Sequence, residues 1–319
     1  MSGQTEEYLG NKVIIMRNPD LASNTISSDN APNRFAFIIG AMKSGTTSLF
    51  VILSQHPQIC ASREKEPDYF IKDRPDRSRD DYLALWDWQS NMHAIALESS
   101  VAYTKAPLIA GVPARISRAG LGEYRFIYML RDPLDRIESQ VRHGLFAGWG
   151  QSLDAGISDD LLDFSRYAMQ LDYYLKYFSK THILLVTLEE FKQDPHTVLS
   201  RICRFLEIDD EFQFSNVEAP RNSGEFFNTA GSMAQISQGE IGQFIAHRIL
   251  PSRVKDWLRS YLTKRGNIKE NDSNLGRWKL EPEERIFILN RLREDLRRLE
   301  SGFGIDIRNY WHLPQKFLD

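Results

Sequence analysis

The stretch from Phe35 to Phe50, which reads FAFIIGAMKSGTTSLF, constrains the fold more than any other part of the chain. Its apolar start predicts a buried strand, a loop bounded by Gly40 and Gly45 follows, and hydroxyl residues then open a predicted helix. Glycines let the backbone N–H groups of such a loop turn inward, and the helix directs the positive end of its dipole to the same point. We therefore expect this loop to bind a phosphate-like anion.

The spacing of the loop resembles the phosphate loop of nucleotide hydrolases, G-x-x-x-x-G-K-[ST], at Gly40, Gly45 and Thr47. In that motif a lysine reaches the γ-phosphate, but here Thr46 holds its position and the loop's lysine, Lys43, lies three residues earlier. The loop is therefore expected to bind a phosphate group, but it lacks the lysine that the ATP-binding motif places at this position. The alternative is an ordinary strand–loop–helix turn. The candidate anion ligands are Lys43, Ser44, Gly45, Thr46, Thr47 and Ser48.

Length and composition limit the classes of function. A chain of 319 residues allows one large α/β domain or two smaller ones, and we favour a single domain over 34–319 after a mostly irregular polar leader, 1–33. The net charge of −3 gives no overall field toward nucleic acid or an anionic membrane. Cys60 and Cys203 have no metal-ligand spacing and are expected in the core. No grouping of His, Cys and Asp predicts a metal site.

The chain has no run of about 18 apolar residues, and its N-terminus lacks the basic-then-apolar pattern of a secretion signal. We expect a soluble, cytoplasmic protein.

Short apolar runs alternate with helical patterns along the chain. Strands are predicted over 35–39, 59–61, 94–97, 126–130 and 182–187, and helices over 46–55, 80–88, 133–146, 161–178, 195–206, 241–262 and 283–301. This alternation predicts an α/β fold: a parallel five-stranded sheet with helices on both faces and a helical C-terminal part. Ligands of such sheets bind at the carboxyl ends of the strands.

Charged residues follow the predicted strands at that edge. Glu66 follows the second strand, Glu98 ends the third and Arg131 follows the fourth. Asp132 is expected to cap the next helix, and Ser139, two turns further on, returns to the strand end. Arg131 and Ser139 can therefore grip one anion together. The alternative for Arg131 is an ordinary surface salt bridge.

Three motifs resemble the sulfotransferases that use 3′-phosphoadenosine-5′-phosphosulfate (PAPS). G-x-x-K-S-G-T-T over 40–47 is similar to their 5′-phosphosulfate loop, K-E-P-x-[YF]-F occurs at 65–70, and R-D-P-x-x-R-x-x-S at 131–139 resembles their 3′-phosphate site, Arg136 included. The resemblance runs from about residue 34 to the end. It implies a P-loop-type fold and an enzyme of the soluble bacterial type, related to carbohydrate O-sulfotransferases.

The resemblance also implies roles. Lys43 would neutralise charge on the bridging oxygen, while Arg131 and Ser139 would hold the 3′-phosphate. Glu66 would be the catalytic base, and no metal is required. Glu98 and His143 are the reserve candidates for the base. Arg221 is a candidate in a loop that closes over the nucleotide. The chain departs from the family where glycan-specific members carry a functional lysine, because Ser99 stands there. This departure weakens an assignment to the heparan-type branch.

The expected reaction is sulfuryl transfer from PAPS to a hydroxyl, in preference to an amine, of a small natural product or glycan. The alternatives are a P-loop nucleotide or small-molecule kinase and a non-catalytic nucleotide-binding protein. No nucleic-acid or membrane partner is expected. Leucines at 289, 292, 296 and 299 form a helical stripe that predicts packing on the sheet, with a homodimer seam as the alternative.

Overall fold

The computed structural model describes residues 31–73, 78–146, 158–215, 217, 279–314 and 317–318, with side chains of 144–146 excepted. The predicted helix 241–262, the candidate Arg221 and residues 1–30 of the predicted leader lie outside these ranges.

The described residues contain a five-stranded sheet. Its strands are β1 (Arg34–Gly40), β2 (Ile59–Ala61), β3 (Ile95–Ser99), β4 (Glu123–Leu130) and β5 (Ile183–Thr187), in the order β2-β3-β1-β4-β5. Every neighbouring pair is parallel. The predicted parallel sheet is confirmed, and β1 lies at its centre with the anion loop at its carboxyl end.

Both faces of the sheet are covered, as a parallel sheet requires. Phe35, Phe37 and Ile39 of β1 belong to one core cluster, while Ala36 and Ile38 belong to another on the opposite face. Because successive side chains of a strand point to opposite faces, a continuous apolar run is what a doubly covered strand needs.

Helices and short 3₁₀ turns connect the strands. The helices are α1 (Thr46–Leu53), α2 (Arg79–Leu83), α3 (Val112–Ala119), α4 (Pro133–Phe146), α5 (Asp159–Asp163), α6 (Tyr167–Leu175), α7 (Leu188–Gln193), α8 (Pro195–Leu206), α9 (Pro282–Phe303) and α10 (Ile307–Tyr310). The 3₁₀ turns are Tyr69–Ile71, Val101–Thr104 and Lys180–His182. The α/β fold class is confirmed.

The helix predicted over 161–178 is wrong as a single element, because the chain forms α5 and α6 with a break between them. Arg136 Nε donates to Ser165 Oγ inside the break, at 2.6 Å. Asp295 of α9 accepts from the backbone N–H groups of Ala168 and Met169, at 3.0 and 2.8 Å, and so caps the start of α6. These contacts come from distant segments and override the local helical pattern.

The leucine stripe of α9 is buried within the chain's own core. Leu292, Leu296 and Leu299 have no exposed surface, and they share a cluster with the sheet residues Phe126 and Tyr128. The predicted burial of this stripe is confirmed, but α9 packs mainly against the helices α4, α5 and α6. The buried stripe supplies no exposed dimer seam.

Candidate active site

The loop between β1 and α1 has a backbone that excludes larger residues at both glycines. Gly40 has φ +142° and a Cβ there would lie 2.1 Å from Thr104 Oγ1, while Gly45 has φ +83° and a Cβ there would lie 2.8 Å from Leu188 Cδ1. The Ala41 N–H donates to the Met129 carbonyl, at 2.6 Å, and ties the loop to the end of β4. Close packing therefore holds the loop at the carboxyl edge of the sheet.

Several polar groups of the loop are left for a ligand. Ser44 has no exposed surface, and its Oγ has no hydrogen-bond partner among the described residues. Helix α1 starts at Thr46 without a side-chain cap and without an acidic residue in its first turn. Buried hydroxyls normally have a partner, so an anion at this helix start would complete the hydrogen bonding.

Arg131 lies against the loop. Its Nη1 donates to the Lys43 carbonyl at 3.0 Å, and its Nη2 is 3.8 Å from the exposed Asp135 carboxylate. Its Nε is buried and has no partner in the part of the chain that the structure describes. A direct hydrogen bond therefore connects the two predicted anion sites, the loop that contains Lys43 and the turn that carries Arg131.

Two arginines influence the charge of the loop lysine. Burial first, and then the charges of Arg131 and Arg142, lower the pKa of Lys43 to about 8, while Arg142 Nη1 also lies 3.5 Å from the Glu138 carboxylate. Like charges at one point repel each other, so an anion between them would be stabilising. Arg142, which sequence reasoning missed, follows Ser139 by three residues on α4, a spacing that places the two on one helix face.

The other predicted residues of α4 and α1 differ in exposure and in charge state. Ser139 is half-buried on α4, one turn before His143. Burial, with a smaller contribution from the Lys43 charge, lowers the pKa of His143 to about 4, so its imidazole is neutral at pH 7. Thr46 is buried, Ser48 half-buried and Thr47 exposed at the start of α1.

Glu66 is the electrostatic centre of the site. Its backbone has φ 60°, its N–H donates to the Ser99 carbonyl at 2.9 Å, and its carboxylate forms an ion pair with Lys65. Burial is the largest cause of the pKa shifts of four nearby groups. The Glu66 charge adds to the rise in the pKa of Asp68 and opposes the lowering of the pKa of Lys43, Lys105 and His143. The structure thus brings the predicted base, the loop lysine and His143 together.

Asp68 and Lys105 are part of this cluster and were not predicted. Burial, aided by the Glu66 charge, raises the pKa of Asp68 to about 7, and its Oδ1 has no partner among the described residues. Lys105 is 3% exposed, its Nζ lies 5.6 Å from the centre of the Phe164 ring, and burial lowers its pKa. A charged residue next to a proline is ordinary in a loop, so the sequence alone did not distinguish Asp68.

Glu98 is held by hydroxyl donors. It has no exposed surface, and its carboxylate accepts hydrogen bonds from Tyr82 and from Ser100, the latter at 2.8 Å. Ser100 Oγ also accepts from the backbone N–H of Asp68, at 3.3 Å. Burial raises the pKa of Glu98, and these hydroxyls oppose the shift. Through Ser100, Glu98 therefore anchors the loop that carries Glu66 and Asp68.

Arg136, a fixed position of the 131–139 motif, is fully buried and hydrogen-bonded to other protein groups. Besides Ser165, its guanidinium donates to Gln140 Oε1 and to the Leu161 carbonyl, at 2.5 and 2.8 Å. We expect Arg136→Met to lower the free energy of unfolding by about 2 kcal/mol or more, because three buried acceptors lose their donor.

Chemical denaturation of Arg136→Met measures this loss. Arg291→Met is the matched control, since Arg291 forms an exposed ion pair with Asp159 and its loss should cost about 1 kcal/mol or less. A stable Arg136→Met protein that no longer binds nucleotide would contradict the structural role.

The part of the chain that the structure describes has neither a grouped set of metal ligands nor a membrane-spanning helix. No three His, Cys, Asp or Glu side chains are grouped there to hold a metal ion. None of the helices described is long and apolar enough to cross a membrane.

Comparison with known proteins identifies a family. The sequence model described as "Sulfotransferase family" matches residues 36–212, which include the loop, Glu66, Arg131 and β5. The chain is 30% identical over 186 residues to heparan sulfate glucosamine 3-O-sulfotransferase 3B1 from Homo sapiens, covering 54% of this chain and 45% of that protein. It is 24% identical over 222 residues to bifunctional heparan sulfate N-deacetylase/N-sulfotransferase 4 from Mus musculus, covering 62% and 25%.

The chain thus spans less than half the length of these two curated relatives. Among solved structures, a sulfotransferase from Alicyclobacillus acidocaldarius has a TM-score of 0.57 and 22% identity, with 88% of this chain and 98% of that chain covered. This likeness concerns the fold.

Proposed function

Because the chain belongs to the sulfotransferase family, we propose that it transfers the sulfuryl group of PAPS to an acceptor hydroxyl. The observation that carries the proposal is a loop whose buried Ser44 hydroxyl has no partner among the described residues and whose Lys43 carbonyl accepts a hydrogen bond from Arg131. PAPS offers a 5′-phosphosulfate and a 3′-phosphate, and these anionic groups suit a site with several cations.

Each anionic group of the donor has candidate ligands. The 5′-phosphosulfate would bind the N–H groups and hydroxyls of 44–48, at the helix start. The 3′-phosphate would bind Arg131, whose Nε is buried without a partner in the described ranges, and Ser139 on α4. A charged group placed on such donors forms the stronger, charge-assisted kind of hydrogen bond.

The chain's residues would act mainly by position and charge, as in phosphoryl transfer. The sulfur–oxygen bond to the 5′-phosphate breaks while a new bond forms to the acceptor oxygen. Protonated Lys43 would stabilise negative charge on the departing phosphate oxygen. The acceptor's proton would go to Glu66, which lies close enough to Lys43 to influence its pKa, after the larger effects of burial, Arg131 and Arg142.

Asp68 is a second carboxylate beside the proposed base. Lys105 and Lys65 both counteract the rise of its pKa, which burial and Glu66 cause. A group with a pKa near 7 can accept and release a proton at neutral pH. The K-E-P-x-[YF]-F motif at 65–70 favours Glu66 as the base, and Asp68 is the residue that inherits this role if Glu66 proves dispensable.

The acceptor is proposed as a small natural product or a glycan. Carboxylates at the proposed acceptor side suit a hydroxyl that must lose a proton, which favours O-sulfation over N-sulfation. The matched relatives carry heparan sulfate in their names. Ser99, which stands in place of the glycan-specific lysine of the family, argues against a heparan-type acceptor.

The proposal predicts a 3′-phosphate preference that depends on Arg131. Adenosine 3′,5′-bisphosphate should bind more tightly than 5′-AMP, and Arg131→Ala should weaken bisphosphate binding by about 2 kcal/mol, the scale of a lost charged hydrogen bond. Isothermal calorimetry with both nucleotides measures the two affinities. The exposed ion-pair residue Arg291 provides the control, Arg291→Ala.

The same titrations separate the alternatives. Equal affinity of the wild-type protein for the two nucleotides would contradict the 3′-phosphate site. Tight binding of ATP with Mg²⁺ would favour a kinase, and binding of PAPS without transfer to any acceptor in a broad library would favour a non-catalytic protein.

A further inference from the structure

The turn that carries Arg131 is held in place by the C-terminal segment 307–312, which includes α10. Asp132, the next residue, is 3% exposed and its Oδ2 accepts from the backbone N–H of His312, at 3.0 Å. Its Oδ1 accepts from the N–H groups of Leu134 and Asp135, at 2.9 and 3.3 Å, and so caps α4. One carboxylate therefore joins the C-terminal segment to the start of α4.

A second carboxylate makes a parallel connection. Glu189 of α7 accepts from the Asp132 N–H with Oε1, at 3.1 Å, and from the Trp311 indole N–H with Oε2, also at 3.1 Å. Trp311 is 3% exposed, and burial raises the pKa of Glu189. Both oxygens of Glu189 are thus used to join the segment to the backbone beside Arg131.

The backbone of Arg131 itself is held from the same side. The Tyr167 hydroxyl donates to the Arg131 carbonyl at 2.7 Å, and the Tyr167 ring lies 5.8 Å from the Trp311 ring. Asp295 of α9 caps the helix that begins with Tyr167. Side chains therefore hold the main chain at 131–132 at the Arg131 carbonyl and at the Asp132 N–H, while the Asp132 side chain accepts from the His312 backbone.

We infer that Trp311 and Glu189 are positioning residues for the anion-binding guanidinium of Arg131, and that the C-terminal segment sets the protein's preference for a nucleotide with a 3′-phosphate. Arg131 Nη1 also donates to the Lys43 carbonyl, so the same arginine reaches the loop. A guanidinium must be held within a fraction of an ångström to bind phosphate with two N–H groups. The inference rests on the proposed function, because that function assigns the 3′-phosphate to Arg131.

The decisive variant is Trp311→Phe, which keeps an aromatic ring against Tyr167 and removes the indole N–H together with part of the ring system, a loss of volume that the Trp86→Phe control reproduces. The measured quantity is the 3′-phosphate preference, the ratio of the dissociation constant for 5′-AMP to that for adenosine 3′,5′-bisphosphate. Trp311→Phe and Glu189→Gln should each lower this preference by roughly three- to thirtyfold, the range found for residues that act through others. Binding of 5′-AMP should change less than twofold, because the loop itself is not altered.

Trp86→Phe is the matched control. Trp86 is also buried, and its indole N–H donates to the Leu97 carbonyl, at 3.3 Å, beside β3. The same substitution there removes the same kind of hydrogen bond but leaves the Arg131 turn alone, so the preference should be unchanged. Melting temperatures of both variants report whether they fold equally well.

Each outcome decides the inference. Loss of the preference in Trp311→Phe but not in Trp86→Phe supports it. An unchanged preference in Trp311→Phe and Glu189→Gln, or an equal loss of affinity for both nucleotides, overturns it while the proposed function stands. If the wild-type protein shows no 3′-phosphate preference, the proposed site and the inference both fail. If Trp311→Phe does not fold, Glu189→Gln decides alone.

Discussion

Lys43→Ala is expected to slow sulfuryl transfer by about 10²- to 10³-fold, the cost of removing one charge-stabilising donor from a preorganised site. Lys43 lies in the loop with φ 70° and its carbonyl is held by Arg131, so its ammonium is placed by the backbone before any ligand binds. Steady-state transfer from labelled PAPS to an acceptor found by library screening measures the effect.

The fold should survive this substitution, because burial of the ammonium beside two arginines is unfavourable in the free protein. The melting temperature of Lys43→Ala is therefore expected to equal or exceed that of the wild type. Lys192→Ala is the control, since Lys192 is exposed at the end of α7. Turnover at the wild-type rate in Lys43→Ala would refute the proposed role.

The same lysine gives a pH dependence with a definite sign. Burial and the neighbouring arginines lower the pKa of Lys43 to about 8, so the free protein loses the required proton as pH rises through that value. The specificity constant kcat/KM for PAPS should therefore fall above about pH 8, since it reports groups of the free enzyme. In Lys43→Ala this fall should be absent.

Glu66→Gln is expected to reduce kcat by about 10²- to 10⁴-fold, the range of general base catalysis, with little change in the affinity for adenosine 3′,5′-bisphosphate. The amide keeps the size of the side chain but cannot accept the acceptor's proton. Glu64→Gln is a close control, because Glu64 is exposed two residues earlier. Single-turnover assays with saturating PAPS isolate the chemical step.

Retained turnover in Glu66→Gln would transfer the base role to Asp68. Burial, with Glu66 as the next cause, raises the pKa of Asp68 to about 7, and removing the Glu66 charge should bring this pKa down. If Asp68 is the base, the kcat of the wild type should fall as pH drops below about 7, because the carboxylate becomes protonated. Asp68→Asn should then abolish both the activity and this pH dependence.

Local patterns in the sequence determined the architecture and the anion end of the site. The run FAFIIG, two glycines at fixed spacing and the hydroxyl residues after them specify a strand, a loop and a helix start within 16 residues. The carboxyl ends of parallel strands share one edge, so Glu66 and Arg131 could be placed near the loop without coordinates. These inferences depend on hydrophobic period and turn chemistry, which act between neighbours in the chain.

Contacts between distant segments decided the rest. Lys105 lies near Glu66 and Asp68 only because the 3₁₀ turn after β3 packs against the segment after β2, and the Trp311 contact to Glu189 spans 122 positions. Contacts of the same kind divide 161–178 into two helices and give Glu98 the Tyr82 hydroxyl as a donor. Burial of polar side chains and hydrogen bonding between distant segments have no periodic trace in the sequence, so only the tertiary structure could reveal these residues.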